Sequence, residues 1–455
     1  MNRFSFARSW ILTGVLALLV SGGLAMVVTA AKVPVFEAWA TRHLAFVRWS
    51  LVEHVNLANL IWFTALPAGL IQLTMSRSQP DVARTSIGMW LLAVGGIVAM
   101  LSCHPGLGAL PVLSNYVPVL DHRLYLGGLA AYLIGVTWVH LGHVLSFGAP
   151  ARMVDGGDPY SDLFDHARFG MWLGSAFFLA AMTTLFFAWR GTAPKTDLSP
   201  AVYFDILFWG GGHLLQHASS CFLLVVWILL MSWSGKPALT RSAVFPVFAW
   251  MGLPLLVLPY LLAQRPASDL YRHAFTELMR WGIAPPMALF LALAFHRRAK
   301  WWPHVPGFRR SALVFSILLL AVGVAFGMSI RGQDLRIPGH YHATIGAITI
   351  AFMTMEYVLL GVEREGARHR LIHAAIPLYG IGQLLFSGGL FVAGYFGLGR
   401  KTYGVEQDVT HPGQVAGLMS LSIGGILALA GGVLFALAWI GLLRRPSAKD
   451  GYHVR

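Results

Sequence analysis

Cysteine is nearly absent from this 455-residue chain: Cys103 and Cys221 are the only two, and neither sits in a C-x-x-C or C-x-x-C-H spacing. A disulfide framework, a thiolate zinc site and covalently attached c-type heme are therefore unsupported. Charge is scarce as well. Asp, Glu, Lys and Arg make up 11% of the residues, against about a quarter in ordinary soluble domains. That composition excludes a soluble globular protein. The loops between apolar runs are short, so no appended soluble domain is expected, and a required electron-donor or receptor domain would be another polypeptide. Internal repeats are lacking too, which argues against the inverted halves of many secondary transporters.

Apolar side chains stand in place of charge. They make up 56% of the sequence and gather into about twelve runs close to the length a helix needs to cross roughly 30 Å of hydrocarbon. The runs lie near 9–31, 44–75, 86–102, 118–146, 166–189, 201–233, 243–264, 275–296, 311–329, 338–361, 371–396 and 413–443. We expect an all-α integral membrane protein, a single twelve-helix domain over 1–455. The first run follows the charged start MNRFSFARSW, but it is long for a signal peptide and no A-x-A cleavage site stands out, so a retained helix is expected. The net charge of +14 is unevenly placed. Basic runs follow even-numbered segments: HRRAK and FRR around 296–310, EREGARHR at 363–370, and LLRRPSAK near the end. By the positive-inside rule both termini and these loops face the cytoplasm. The surplus charge then reflects topology and anionic lipid heads, not nucleic acid.

The chain has 18 histidines. Inside a membrane helix an imidazole is costly unless paired or liganded. His140, His143, His166 and His373 read as capped or interfacial residues. Six others share a depth. With the N-terminus inside, even-numbered segments run from outside to inside, and His54, His213, His217, His273, His340 and His342 all fall in the outer half. A shared cofactor layer accounts for this better than six unrelated core residues. In GHYHATIGAITIAFMTMEY, His340 and His342 are two apart, about 200° around a helix, so they project to opposite sides. His213 and His217 are four apart and share a face, an arrangement that suits two imidazoles on one metal or a hydrogen-bonded polar stripe.

Together these features resemble the catalytic subunit of the heme–copper oxidase superfamily, which includes the oxygen reductases and the bacterial nitric oxide reductases. The likeness spans the whole chain. It implies a twelve-helix core with both ends cytoplasmic, in a bacterial cytoplasmic membrane. The H-x-H pair would place a high-spin heme on His340 and a low-spin heme on His342. His54, in EHVNLANLIWFTALPAG, would be the second low-spin ligand, with His43 as a rival. FWGGGHLLQH looks like the family's helix-six motif and would make His213 a ligand of the non-heme metal. In GLFVAGYFGLGRKTYG, Arg400 and Lys401 would hold heme propionates. The cofactors implied are two hemes, b-type more than a-type, with copper or else iron. The implied electron donor is an outer-face cytochrome c or cupredoxin-type subunit.

The pattern breaks in DLYRHAFTELMRWG, where the family has two adjacent histidines and this chain has Arg272 beside His273. His217 could compensate, giving a His213, His217, His273 set with copper or iron as the metal. The family's helix-six tyrosine is absent, and Tyr260 and Tyr271 are loose candidates for its replacement. Reducing two NO to N2O takes two electrons and needs no radical side chain, so nitric oxide reduction is favoured. Oxygen reduction and an electron-transfer subunit without the non-heme metal stay open. So does a histidine-lined transporter or channel, which would bind no heme. Glu53, Asp205, Glu277 and Glu356 are candidate proton carriers or structural partners.

Overall fold

A computed structural model describes residues 3–74, 80–146, 161–192, 198–232, 236–359 and 367–443. Most of the basic runs at 363–370 and 442–449 lies outside the described residues. Among the described residues twelve helices are long and apolar enough to cross a membrane. They are α1 Phe6–Ala30, α2 Leu44–Leu73, α3 Thr85–Ser102, α4 Arg123–Leu145, α5 His166–Thr192, α6 Pro200–Met231, α7 Arg241–Leu262, α8 Asp269–His296, α9 Gly307–Met328, α10 Arg336–Leu359, α11 Arg370–Tyr395 and α12 Pro412–Ile440. Helix is the natural outcome, because in lipid every backbone N–H and C=O must find its partner within the segment.

Three details depart from a plain reading of the apolar runs. Residues 118–122 do not extend α4. They include a short strand, β2 Val119–Asp121, paired antiparallel with β1 Leu110–Val112, and His122 then caps the helix by accepting from Leu124 N–H. The helix α8 starts six residues before the apolar run, since Ser268 supplies the N-cap and accepts from Tyr271 N–H. Tyr271, Arg272 and His273 are thereby helical. Third, α2 contains a π-helical turn, Asn56–Ile61, that starts two residues after His54, and Pro67 beyond it. Such turns re-aim the side chains that flank them and recur at functional sites.

The chain forms two compact units. The first comprises, among the described residues, those within 3–14 and 63–305. In it α3 and α4 come into backbone contact: a methyl on Gly96 would strike the Gly128 carbonyl. The second comprises, among the described residues, those within 15–62 and 306–443. Its α11 and α12 touch at Gly382, Gly389, Gly417 and Gly424, where an added methyl would hit the facing backbone. Small residues let helices approach closely in lipid, where no hydrophobic drive pushes them together.

Outside the spans, the second unit ties its loops with buried polar contacts. Lys32 Nζ donates to Thr402 O at 2.8 Å and to Gln407 Oε1 at 3.2 Å, and lies 4.6 Å from the Tyr403 ring centre. Burial lowers its pKa from near 10.5 to about 7 and pushes the Tyr403 hydroxyl up. Between those two lysine values the unfolded chain binds the extra proton, so this group makes stability rise with pH. Thermal melting in detergent is expected to shift upward from pH 7 to pH 9, and Lys32→Met to abolish that share of the slope. An identical slope in the variant would refute the assignment. Nearby, partial burial would raise the Asp334 carboxyl, but its hydrogen bonds from Arg336 outweigh this and hold it low.

Candidate heme and metal sites

In the second unit, Ser21 Oγ donates to His54 O at 3.0 Å, which uses the hydroxyl proton. His54 Nδ1, 2.8 Å from that Oγ and 3.1 Å from Ser21 O, is then the N–H donor, and its Nε2 is left bare. His340 repeats the device. Its Nδ1 lies 2.6 Å from the Gly323 carbonyl, which can only accept, so Nε2 is again the free lone pair. A backbone acceptor on Nδ1 is the usual support for an imidazole that binds metal through Nε2.

The rings of His54 and His342 are parallel within 7°, with centres 6.1 Å apart and Phe386 flanking His342 at 4.6 Å. Two imidazoles bound to one metal from opposite sides, at about 2 Å per bond, have centres about 6 Å apart. The pair therefore fits an axial bracket for heme. The loop before α10 pairs with the end of α11 through an Asp334–Gly399 bridge and Leu335 N–H to Leu398 O at 3.0 Å. This puts half-buried Arg400 and Lys401 in the turn beside that loop. Lys401 has a φ of 61°, the left-handed region, and is the one described non-glycine residue that does. Holding it there costs about 1–3 kcal/mol.

The first unit carries the α6 motif. Its glycines make room for two tyrosines: a methyl on Gly210 would strike the Tyr271 hydroxyl, and one on Gly212 would overlap the Tyr116 ring. His213 donates Nδ1–H to Trp209 O at 2.7 Å, and its Nε2 lies 3.0 Å from Tyr116 OH, which donates to it. His217 donates Nδ1–H to His213 O at 3.1 Å. Its ring is buried beside the Leu278 backbone, with Nε2 facing the bare Cα of Gly282.

This arrangement does not fit the expected three-histidine metal set. Tyr271 is buried, so His273, two residues on, points the other way and is exposed. Arg272 lies over the Trp209 ring at 4.5 Å, and the Tyr116 hydroxyl engages the His213 lone pair. Among the described residues no three His, Cys, Asp or Glu side chains come together as metal ligands.

The chain covers 99% of its length on a heme–copper terminal oxidase solved by cryo-electron microscopy as a dimer, and 86% of that chain, with a TM-score of 0.69 and 14% identity. The fold is of the heme–copper oxidase type. No protein-family model matches. Curated relatives include an uncharacterized protein of Aquifex aeolicus (strain VF5), 24% identical over 77% of this chain and 83% of that one. An uncharacterized protein of Rickettsia prowazekii (strain Madrid E) is 22% identical over 95% and 94%.

The candidate carboxylates divide. Asp205 accepts from the Asn115 backbone N–H at 2.8 Å and tethers the hairpin loop to α6. Glu277 pairs with Arg280 and Trp281 on the surface of α8. Both have hydrogen-bond partners. Glu53 and Glu356 are wholly buried; Glu356 accepts from Trp439 Nε1 at 2.9 Å, and both Glu53 oxygens lack partners. Tyr260 is exposed. Two features escaped the sequence reading. Tyr116 sits in an irregular loop with no pattern to mark it. His140 and His143, read as capped or interfacial, are buried together. Their i, i+3 spacing in HLGH was the available signal.

Proposed function

We propose that this chain is a membrane oxidoreductase of the respiratory type that binds two b-type hemes, one between His54 and His342 and one on His340. Electrons would come from an outer-face cytochrome c or cupredoxin partner. The carrying observation is the parallel, 6.1 Å-spaced imidazole pair, supported by the Nδ1 anchors of His54 and His340. Heme in those positions would supply one-electron transfer and, where an axial position stays open, a place for a gaseous ligand. The protein's own work is to fix the imidazole tautomers through Ser21 and Gly323. Arg400 and Lys401 would hold the propionates. Bacterial relatives fit a bacterial cytoplasmic membrane.

Nitric oxide is the favoured substrate. Two NO, two electrons and two protons give N2O and water, which matches two one-electron cofactors, whereas O2 reduction to water takes four electrons. The Tyr116–His213 hydrogen bond and the outward His273 favour a second reading as well, electron transfer without turnover. The test is heme and metal analysis of the purified protein with NO and O2 consumption assays. We expect two hemes per chain, no stoichiometric copper or non-heme iron, and NO consumption. Hemes without consumption of either gas would select the second reading. A colourless preparation would refute both. His273→Ala is expected to leave heme content and turnover unchanged; loss of a bound metal in that variant would restore the three-histidine site.

A further inference from the structure

His140 and His143 lie one turn apart on α4, and both direct Nδ1 at a single atom. Ser175 Oγ, on α5, is 3.0 Å from the first and 2.9 Å from the second, and Ser175 has no exposed surface. One hydroxyl has one proton, so it cannot donate to both rings. In an arrangement that uses the hydroxyl as donor and acceptor, one ring gives Nδ1–H to Oγ and Oγ–H goes to the other ring. The two neutral versions of that arrangement differ by the shift of two protons along Nδ1, Oγ and Nδ1, together with one proton gained at Nε2 of the ring that gives up Nδ1–H and one lost from Nε2 of the ring that receives it.

Beyond this triad the polar groups run short of partners. His140 Nε2 is buried with none, and its ring stacks on Phe178 at 4.3 Å. The preceding residue, Phe177, stacks on His217 at 4.8 Å, whose buried ring meets the backbone of Leu278 as well as that of His213. Adjacent residues of α5 thus stack on the two imidazoles. The Tyr271 hydroxyl is buried and unpartnered as well. Buried polar groups that stay orphaned are costly and call for an ordered water or a function. An apolar pair would fill the same space without that cost.

We propose that His143, Ser175 and His140 form a proton relay delivering to His217, an inference that rests on the reading above of a proton-consuming oxidoreductase. In one passage a proton binds His143 Nε2. The His143 Nδ1–H bond breaks as Ser175 Oγ gains that proton. Oγ passes its own proton to His140 Nδ1, and His140 releases the proton from Nε2 to a water between it and His217. One proton enters, one leaves, and no electron moves. His143 lies at the C-terminal end of α4, the cytoplasmic end on the proposed topology.

The test uses the holoprotein in liposomes with a pH-sensitive dye. Ser175→Ala is expected to slow proton uptake on reduction by on the order of tenfold or more, with heme content and heme reduction in detergent unchanged. Ser175→Thr keeps a hydroxyl and is expected to restore the rate. Wild-type uptake in Ser175→Ala, or failure of threonine to rescue, would overturn the relay. Nitrogen-15 histidine NMR reads it independently of heme: protons exchanging between the two Nδ1 sites support it, and two rings fixed in single tautomers refute it. A heme-free protein would therefore sink the functional proposal while the relay could still be judged.

Discussion

His342→Ala is expected to halve the heme content of the purified protein and to abolish the low-spin visible spectrum, with the remaining heme retained. The reason is positional. His342 faces His54 across the 6.1 Å gap, whereas His340, about 200° around α10, is anchored to Gly323 on α9. Removing one imidazole therefore leaves the other undisturbed. His54→Ala is expected to give the same spectrum as His342→Ala, and His340→Ala the complementary one, with the low-spin signature kept and the second heme lost. Pyridine hemochrome quantitation with reduced-minus-oxidised spectra reads all three. If His342→Ala keeps two hemes, or if the His54 and His342 variants differ in which heme they lose, the bracket is wrong.

The second large effect concerns the fold. Gly424→Leu is expected to prevent accumulation of folded protein. A methyl at Gly424 would already strike the Phe386 N–H and the Gly382 carbonyl, and backbone has no rotamer with which to yield. Overpacking an interior commonly costs about 1–3 kcal/mol, more where backbone must move. The α11–α12 contact is built from such approaches at several glycines, so the helices would have to separate. The same shift would move Phe386, which packs against His342, so any protein recovered should also show a perturbed low-spin heme. Gly432 on the same helix is the control: nothing lies within 4 Å of a methyl there, and Gly432→Leu is expected to be tolerated. Fluorescence-detected gel filtration of the two variants decides it. A monodisperse Gly424→Leu peak at wild-type level would show that the contact is dispensable.

Much of the architecture could be read along the chain. Bilayer thickness converts apolar run length directly into helix count, so twelve spans were legible without any tertiary information, as was the opposed projection of His340 and His342, a property of one helix. The location of His54 followed from depth. Errors came where a local pattern was settled by a distant neighbour. Residues 118–122 are apolar enough to extend α4, but pairing with Leu110–Val112 turns them into a strand.

The histidine set shows the same division. Sequence spacing put His213 and His217 on one face of α6, and that was correct; it could not tell that Tyr116, almost a hundred residues earlier, would take the His213 Nε2. Nor could it tell that burial of Tyr271 turns His273 outward, or that Ser175 would bind His140 and His143 from another helix. The sequence alone determined which helices exist and which side chains share a face, because both depend on the period of one helix and the thickness of the membrane. Which imidazoles stay free to bind a ligand was decided only by tertiary structure, because a nitrogen lone pair is used or spared by whichever side chain the packing brings within about 3 Å.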